Sequence, residues 1–189
     1  MFRSGPWHCD LPNLETPGAG TVVKSFQVPN GTKLVSHGMR VTASAKPIED
    51  SLLSFITDGD LDSATDAILV LPPGQQWVQV DLGKSMRIEK VHLWHDQRRS
   101  RNDVYRDVVV ELGQDAGFSD IGQIIFNADY RNVHGRGQGP DPAYIETNFG
   151  RLMDGGSHAA RFVRIWGSGS YNDGFHRYVE VQVYARAVE

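Results

Sequence analysis

Two aspartates flank a glycine at Asp58-Gly59-Asp60, and acidic oxygens around such a turn suit a hard cation. Ca²⁺ gathers roughly six to eight oxygens from carboxylates, hydroxyls and backbone carbonyls. The same residues also make an ordinary turn in which Asp58 caps backbone N–H groups and no ion is needed. A second pattern is rich in nitrogen. His95, Arg98, Arg99 and Arg101 fall in one loop-like stretch, Tyr130, His134 and Arg136 in another, and Tyr171, Asn172 and His176 in a third. A sugar offers a weakly apolar C–H face and a rim of hydroxyls, so an aromatic plate ringed by planar donors such as guanidinium and amide groups can read both. The three positive charges of Arg98-Arg99-Ser100-Arg101 suit an acidic sugar or a sulfate, or simply a solvated turn.

Catalytic constellations are missing. The sequence holds no Gly-x-Ser-x-Gly elbow, no phosphate-cradling Gly-x-x-x-x-Gly-Lys-Ser/Thr loop and no His-Glu-x-x-His zinc pair. Cys9 is the only cysteine, which excludes an internal disulfide and a thiolate zinc cluster. His92 and His95 stand three apart on a strand-like segment, which sends them to opposite faces and disfavours them as a metal pair. Asp96, Asp103, Asp129, Asp141 and Asp173 lie on loop-like stretches, where two folded together could hydrolyse a glycoside. Loop acids are expected by chance among 23 Asp and Glu, so the chain reads as non-catalytic, with a small glycoside hydrolase or metalloenzyme as a weaker alternative.

These side chains must be held by a modest frame. The chain has 189 residues, room for one domain with an extension. Its 19 Lys and Arg against 23 Asp and Glu leave a net charge of −4, without the basic excess of a dedicated nucleic-acid binder. No apolar run approaches the roughly 20 residues of a membrane-spanning helix. The first residues lack the apolar stretch of a secretory signal, which leaves the compartment open.

Twenty glycines and nine prolines cut the chain into short pieces with two-residue apolar alternation, the pattern of half-buried strands. Strands are expected at Val22 to Val28, Arg40 to Ala45, Trp77 to Leu82, Ile88 to His95, Asp107 to Leu112, Gln123 to Asn127, Ala143 to Asn148, Arg161 to Trp166 and Tyr178 to Arg186. Nine strands with little helix make an all-β sandwich. In the last of them Val179, Val181 and Val183 are expected to face the core, with Tyr178, Glu180, Gln182 and Tyr184 outward. Gly83 is expected to turn the chain tightly after Leu82. A helical turn or two is expected within Ile48 to Phe55. Residues 1–38 read as an arm or extension packed on a sandwich of residues 39–189, and the Asp129 to Pro142 stretch reads as a long functional loop.

Seven segments in order resemble the discoidin, or coagulation factor V/VIII type C, domains, the galactose-binding-like sandwiches that include the family 32 carbohydrate-binding modules. They are Val41-Thr42-Ala43-Ser44, Ile56-Thr57-Asp58-Gly59-Asp60, Trp77-Val78-Gln79-Val80-Asp81-Leu82-Gly83, Ile88-Glu89-Lys90-Val91, Asp107-Val108-Val109-Val110-Glu111, Ala160-Arg161-Phe162-Val163-Arg164-Ile165 and Glu180-Val181-Gln182-Val183-Tyr184. The resemblance runs from about residue 39 to 186 and implies a jelly-roll-like β-sandwich.

By that resemblance, a structural Ca²⁺ would take oxygens from Asp58 and Asp60, a hydroxyl from Ser63 or Thr65, and the distant carboxylate of Glu180. The tryptophan that usually follows the aspartate turn is absent between Leu61 and Asp66. The three loop stretches would gather at one end of the sandwich and bind a glycan. The implied protein is a non-catalytic carbohydrate-binding module, secreted, periplasmic or at the cell surface, covalently part of a larger polysaccharide-processing chain. Discoidin relatives that bind protein or phospholipid supply the alternative. Membrane-binding relatives project apolar spikes, and Phe175 is the single obvious candidate here.

Overall fold

The computed structural model describes residues 9–16, 25–48, 51–62, 67–97 and 103–188. The strands are β1 (Lys33–Leu34), β2 (Arg40–Ala43), β3 (Leu69–Leu71), β4 (Gln76–His95), β5 (Val109–Gly113), β6 (Gln123–Asn127), β7 (Arg151–Gly167) and β8 (His176–Ala187), with one 3-10 turn at Leu53–Thr57. All are paired antiparallel in the order β1-β8-β4-β7-β5-β6, with β2 beside β4 and β3 beside β8. The fold is an all-β sandwich, as expected. No described helix is long and apolar enough to cross a membrane.

Two strands make both layers. β4 runs for 20 residues and β7 for 17, well beyond the usual ~5–6. The tight reversal expected at Gly83 does not occur. Asp81 accepts the Gly83 N–H at 2.8 Å, Gly83 takes φ +77°, and the register against β7 shifts between Asp81 and Met86. The irregularity bends one strand from the first layer into the second, so the segments Trp77 to Leu82 and Ile88 to His95 are halves of one element. A second irregularity follows between Ile88 and Lys90, opposite Gly156 and Ser157 of β7, both of which have positive φ. Val78 and Val80 of the first half of β4 therefore share a core with Val91 and Leu93 of its second half, with Val110, Leu112, Val163 and Ile165, and with Val181 and Val183. Each buried valine contributes of order 1.5 kcal/mol.

Other expectations are corrected. Residues 25–28 form no strand, and Val22 to Lys24 lie outside the described residues. Ala143 to Asn148 makes only isolated bridges, Leu14 with Ala143 and Val104 with Ile145. The strand expected from Asp107 begins at Val109. β3 has no alternation to reveal it, because Leu69 and Leu71 enter the main core while Val70 enters a second cluster with Ile68, Trp94 and Val179. In β8 the pairing skips between Trp94↔Glu180 and His95↔Tyr178, a bulge at Val179. The bulge turns Tyr178 into the main core and Val179 out of it, the reverse of the simple alternation. Glu180 and Tyr178 are both fully buried.

The N-terminal residues are part of this packing. Leu11 and Leu14 pack with Val104, Ala143 and Ile145, and the buried Glu15 carboxylate accepts from Ile145 N at 2.8 Å and Arg151 Nη2 at 2.6 Å. β1 lies on the edge of β8, where the Ser36 hydroxyl accepts from Val183 N at 2.9 Å.

Candidate functional site

β4 and β6 end, and β5, β7 and β8 end or begin, at one rim of the sandwich, so the loops between them converge there. Tyr105 bridges Ser170, Val104 bridges Ile145, and Glu146 N donates to Asp103 O at 2.8 Å. Asp103 is the hub. Its buried carboxylate accepts from Ser170 Oγ and Asn172 Nδ2 at 2.7 Å each and from Val104 N at 2.8 Å. Burial pushes its pKa up, and these hydrogen bonds oppose the shift. Arg106 Nη2 donates to Ser168 O at 2.9 Å. Gly169 has φ +79°, and any Cβ there would strike the Gly174 backbone. Gly169→Ala is expected to cost about 2–3 kcal/mol through strain and displacement of this loop, read in denaturant unfolding; an unchanged midpoint would show that the loop yields freely.

Beneath the rim lies a polar layer closed to solvent. His95 Nδ1 meets Glu146 Oε1 at 2.6 Å with side chains 2% and 0% exposed, and the His95 ring stacks on Tyr105 at 4.1 Å and 13°. His176 contacts Gly74 O through Nε2 at 2.9 Å, and burial pushes its pKa down to about 4. It is neutral at physiological pH, so Nε2–H donates to the carbonyl. The expectation that His95 and His176 touch a ligand is corrected by this burial, because the bulge and pairing of β8 draw both strand ends inward. They position the loops instead. Trp94 belongs to the second apolar cluster, and Phe175 packs against that cluster with the Arg177 guanidinium 5.2 Å from its ring, so it is no exposed spike.

Nearer the surface the remaining candidates fall into two groups by their contacts. In the first, Asp129 accepts from Val133 N and His134 N at 2.9 Å each, folding the loop back on itself. Tyr130 is half-buried with the exposed Arg131 guanidinium 5.5 Å from its ring centroid. Arg136 lies 4.6 Å over Trp166 and 3.1 Å from the fully buried Glu111, which also accepts from Trp166 Nε1 at 2.9 Å and Gly122 N at 2.6 Å. The His134 ring is 5.8 Å from Trp166 with both nitrogens buried, and burial pushes its pKa down, opposed by Asp129 and Asp107. In the second group, the Tyr171 hydroxyl donates to Asp10 Oδ1 at 2.8 Å and the residue packs against the apolar cluster of Val104, Ala128, Ala143 and Ile145. Tyr171 thus ties down the N-terminal segment, while Asn172 stays exposed beside Asp103. Arg98, Arg99 and Arg101 lie outside the described residues.

Sequence reasoning missed the aromatic support of the first group. Trp166 and Arg164 alternate with the core residues Ile165 and Val163, and their partners Trp77 and Gln79 face them across the ladder. Arg164 sits 4.2 Å from both Trp77 and Phe118 and donates to Gln79 Oε1 at 2.8 Å. The shared two-residue spacing of Trp77-x-Gln79 and Arg164-x-Trp166 was the available signal.

The acidic turn and the last strand do meet. Asp58 accepts from Asp60 N and Asp60 from Asp62 N, both at 2.8 Å, Gly59 has φ +86°, and Gly59 N approaches Glu180 Oε2 at 3.4 Å. Burial, then the charges of Asp58 and Asp60, raise the Glu180 pKa to about 8. Its Oε1 is buried without a hydrogen-bond partner. Among the described residues no three His, Cys, Asp or Glu side chains form a ready ligand set, and Ser63 and Thr65 lie outside the described residues. A cation at this turn would have to draw Asp58, Asp60 and Glu180 closer and add backbone or hydroxyl oxygens.

No family model and no curated protein matches the sequence. Solved structures do match in fold. A chitosan-binding module of a chitosanase/glucanase from Paenibacillus sp. IK-5 is 17% identical, with 80% of this chain and 98% of that chain covered and a TM-score of 0.58. A fucose-binding module of Streptococcus pneumoniae is 12% identical, with 84% and 99% covered and a TM-score of 0.59. Truncated AlyQ, with family 32 carbohydrate-binding and alginate lyase domains, is 19% identical over 84% of this chain but only 34% of that one, with a TM-score of 0.59. The chain shares the antiparallel β-sandwich fold of these modules.

Proposed function

We propose that this fold acts here as a non-catalytic carbohydrate-binding module that reads a glycan through the loops at one rim. One observation carries the reading: the 129–142 loop, pinned from inside by the buried Asp129 carboxylate, holds the exposed Arg131 guanidinium beside Tyr130, with Arg136 of the same loop laid over Trp166. The C–H face of a pyranose would lie on Tyr130, while guanidinium N–H groups donate to ring hydroxyls. The two fold neighbours that are modules bind chitosan and fucose by their descriptions, and the AlyQ match, confined to about a third of that chain, supports a place within a larger polysaccharide-processing protein. Such a module raises the effective concentration of its covalent partner at the polymer.

The same reading assigns Asp58, Asp60 and Glu180 as side chains that would hold a structural Ca²⁺, with Ser63 as a further oxygen. The buried, unpartnered Glu180 oxygen beside two carboxylates supports this. The ion would neutralise that concentration of negative charge; it has no part in binding sugar.

Affinity gels carrying neutral and acidic polysaccharides, run beside phospholipid vesicles, test the function. Binding to at least one polysaccharide is expected to weaken tenfold or more in Tyr130→Ala and Arg131→Ala, whose melting temperatures stay near that of the native chain. Vesicle binding without polysaccharide retention would overturn the reading in favour of a lipid-interaction domain.

A further inference from the structure

The outer face of the second layer carries a groove that the rim does not use. His92 and Trp94 of β4 and Gln182 and Tyr184 of β8 alternate with the core residues Val91, Leu93, Val181 and Val183, so they stand on the side of the sheet away from the core. Together with Phe26 and Phe149 they line a cleft of about 370 Å³. That lies within the ~300–1,000 Å³ of small-ligand sites. The walls are fixed. Phe26 meets Tyr184 edge-on at 5.0 Å and 75°, and Trp94 stacks on His92 at 3.7 Å and 25°. Phe149 is 41% exposed, large and apolar, and it is held in place by its neighbour. Gly150 has φ +64°, and a Cβ there would lie 2.6 Å from Leu93 O and 2.8 Å from the Trp94 ring. Only glycine lets the turn carrying Phe149 lie this close to the sheet.

The polar groups of the groove are neutral and oriented. Gln182 Oε1 accepts from the Tyr184 hydroxyl at 2.7 Å, which leaves the amide NH₂ to donate. His92 Nε2–H donates to Phe149 O at 2.8 Å, so Nδ1 remains an acceptor, and burial pushes the imidazole pKa down, keeping it uncharged. Asn148 adds an exposed amide at the rim. Among the described residues, none of the lining side chains is a carboxylate, ammonium or guanidinium. Apolar ring faces combined with uncharged donors and acceptors match a pyranose bearing only hydroxyls; a uronate or sulfate would lose its hydration here without a counter-charge.

We propose that this groove is a second glycan site, taking an uncharged pyranose unit, on the layer opposite the arginine-rich rim group. The proposal rests on the carbohydrate-binding reading and deepens it: the rim group carries charged donors, the described lining of the groove carries none, and the two faces would grip separate stretches of polymer.

Calorimetric titration of the full chain with neutral gluco-, manno-, galacto- and xylo-oligosaccharides, and with an oligouronate, separates the two sites. At least one neutral oligosaccharide is expected to bind tenfold or more weakly to Phe149→Ala and to Gln182→Leu, with Trp94 fluorescence no longer responding, while Tyr130→Ala leaves this event unchanged. Melting curves identify any variant that fails to fold, and Tyr184→Phe then serves in its place, since it removes only the hydroxyl that orients Gln182. If Tyr130→Ala abolishes all neutral-sugar binding while the groove variants bind as the native chain does, the groove proposal fails and the module survives. If the oligouronate competes equally at the groove, the assignment to an uncharged sugar is overturned. If the native chain binds no sugar of either class, both readings fall.

Discussion

Replacing Glu146 with alanine is expected to lower the unfolding free energy by about 3–5 kcal/mol. The melting temperature should drop on the order of 10 °C. The carboxylate has no exposed surface and meets His95 Nδ1 at 2.6 Å, while Tyr105 and Tyr178 enclose the imidazole at 4.1 and 4.8 Å. Burial pushes the Glu146 pKa up, and the neighbouring His95 and Arg151 oppose the shift. Truncation leaves the imidazole N–H without an acceptor in a place water does not reach, and that unpaired group is the source of the loss. Glu146→Gln keeps an acceptor oxygen and should lose far less. Because Glu146 N also donates to Asp103 O, the loops of the rim should loosen together, and glycan binding should weaken in Glu146→Ala even well below its melting temperature. Equal, small losses in both variants would show that the pair contributes nothing beyond volume.

Glu180 predicts a pH profile. Its folded pKa of about 8 lies above the ordinary 4.5, because burial and then the charges of Asp58 and Asp60 disfavour the carboxylate. Between those values the folded state holds a proton that the unfolded chain releases, so stability falls as pH rises. In EDTA the contribution should be complete below pH 4.5 and lost by about pH 8, a fall on the order of 5 °C in melting temperature. A cation beside the three carboxylates reverses the preference: Ca²⁺ added at pH 8 should recover the loss, and the same Ca²⁺ at pH 5 should do little, because protons compete for Glu180. Glu180→Gln should flatten the profile and erase the calcium response. Melting indifferent to Ca²⁺ at pH 8, alongside a sloping profile in EDTA, would leave the buried acid and remove the ion.

What could be read in the chain was local or ordered along it. The alternation of Val181 and Val183 with Gln182 identifies a half-buried strand, because a two-residue period needs only that one face be covered. The order of short segments, from the aspartate turn to Glu180, carried a resemblance to discoidin-type domains, and it was that resemblance that implied the sandwich and the approach of Glu180 to the aspartate turn.

Which side chains reach a ligand was decided elsewhere. His95 and His176 carry the right chemistry and sit at strand ends, yet a single bulge at Val179 and the pairing of β8 draw them inside. Trp77 and Trp166 read as scaffold until the ladder sets them opposite each other, with Arg164 between aromatic faces. The groove needs Phe26 on one outer face with Phe149 and Tyr184, both more than a hundred residues further along the chain. Periodicity reports that a strand has a buried side; exposure, by contrast, is a property of the whole packed assembly, set by register, bulges and crossings that no local window contains.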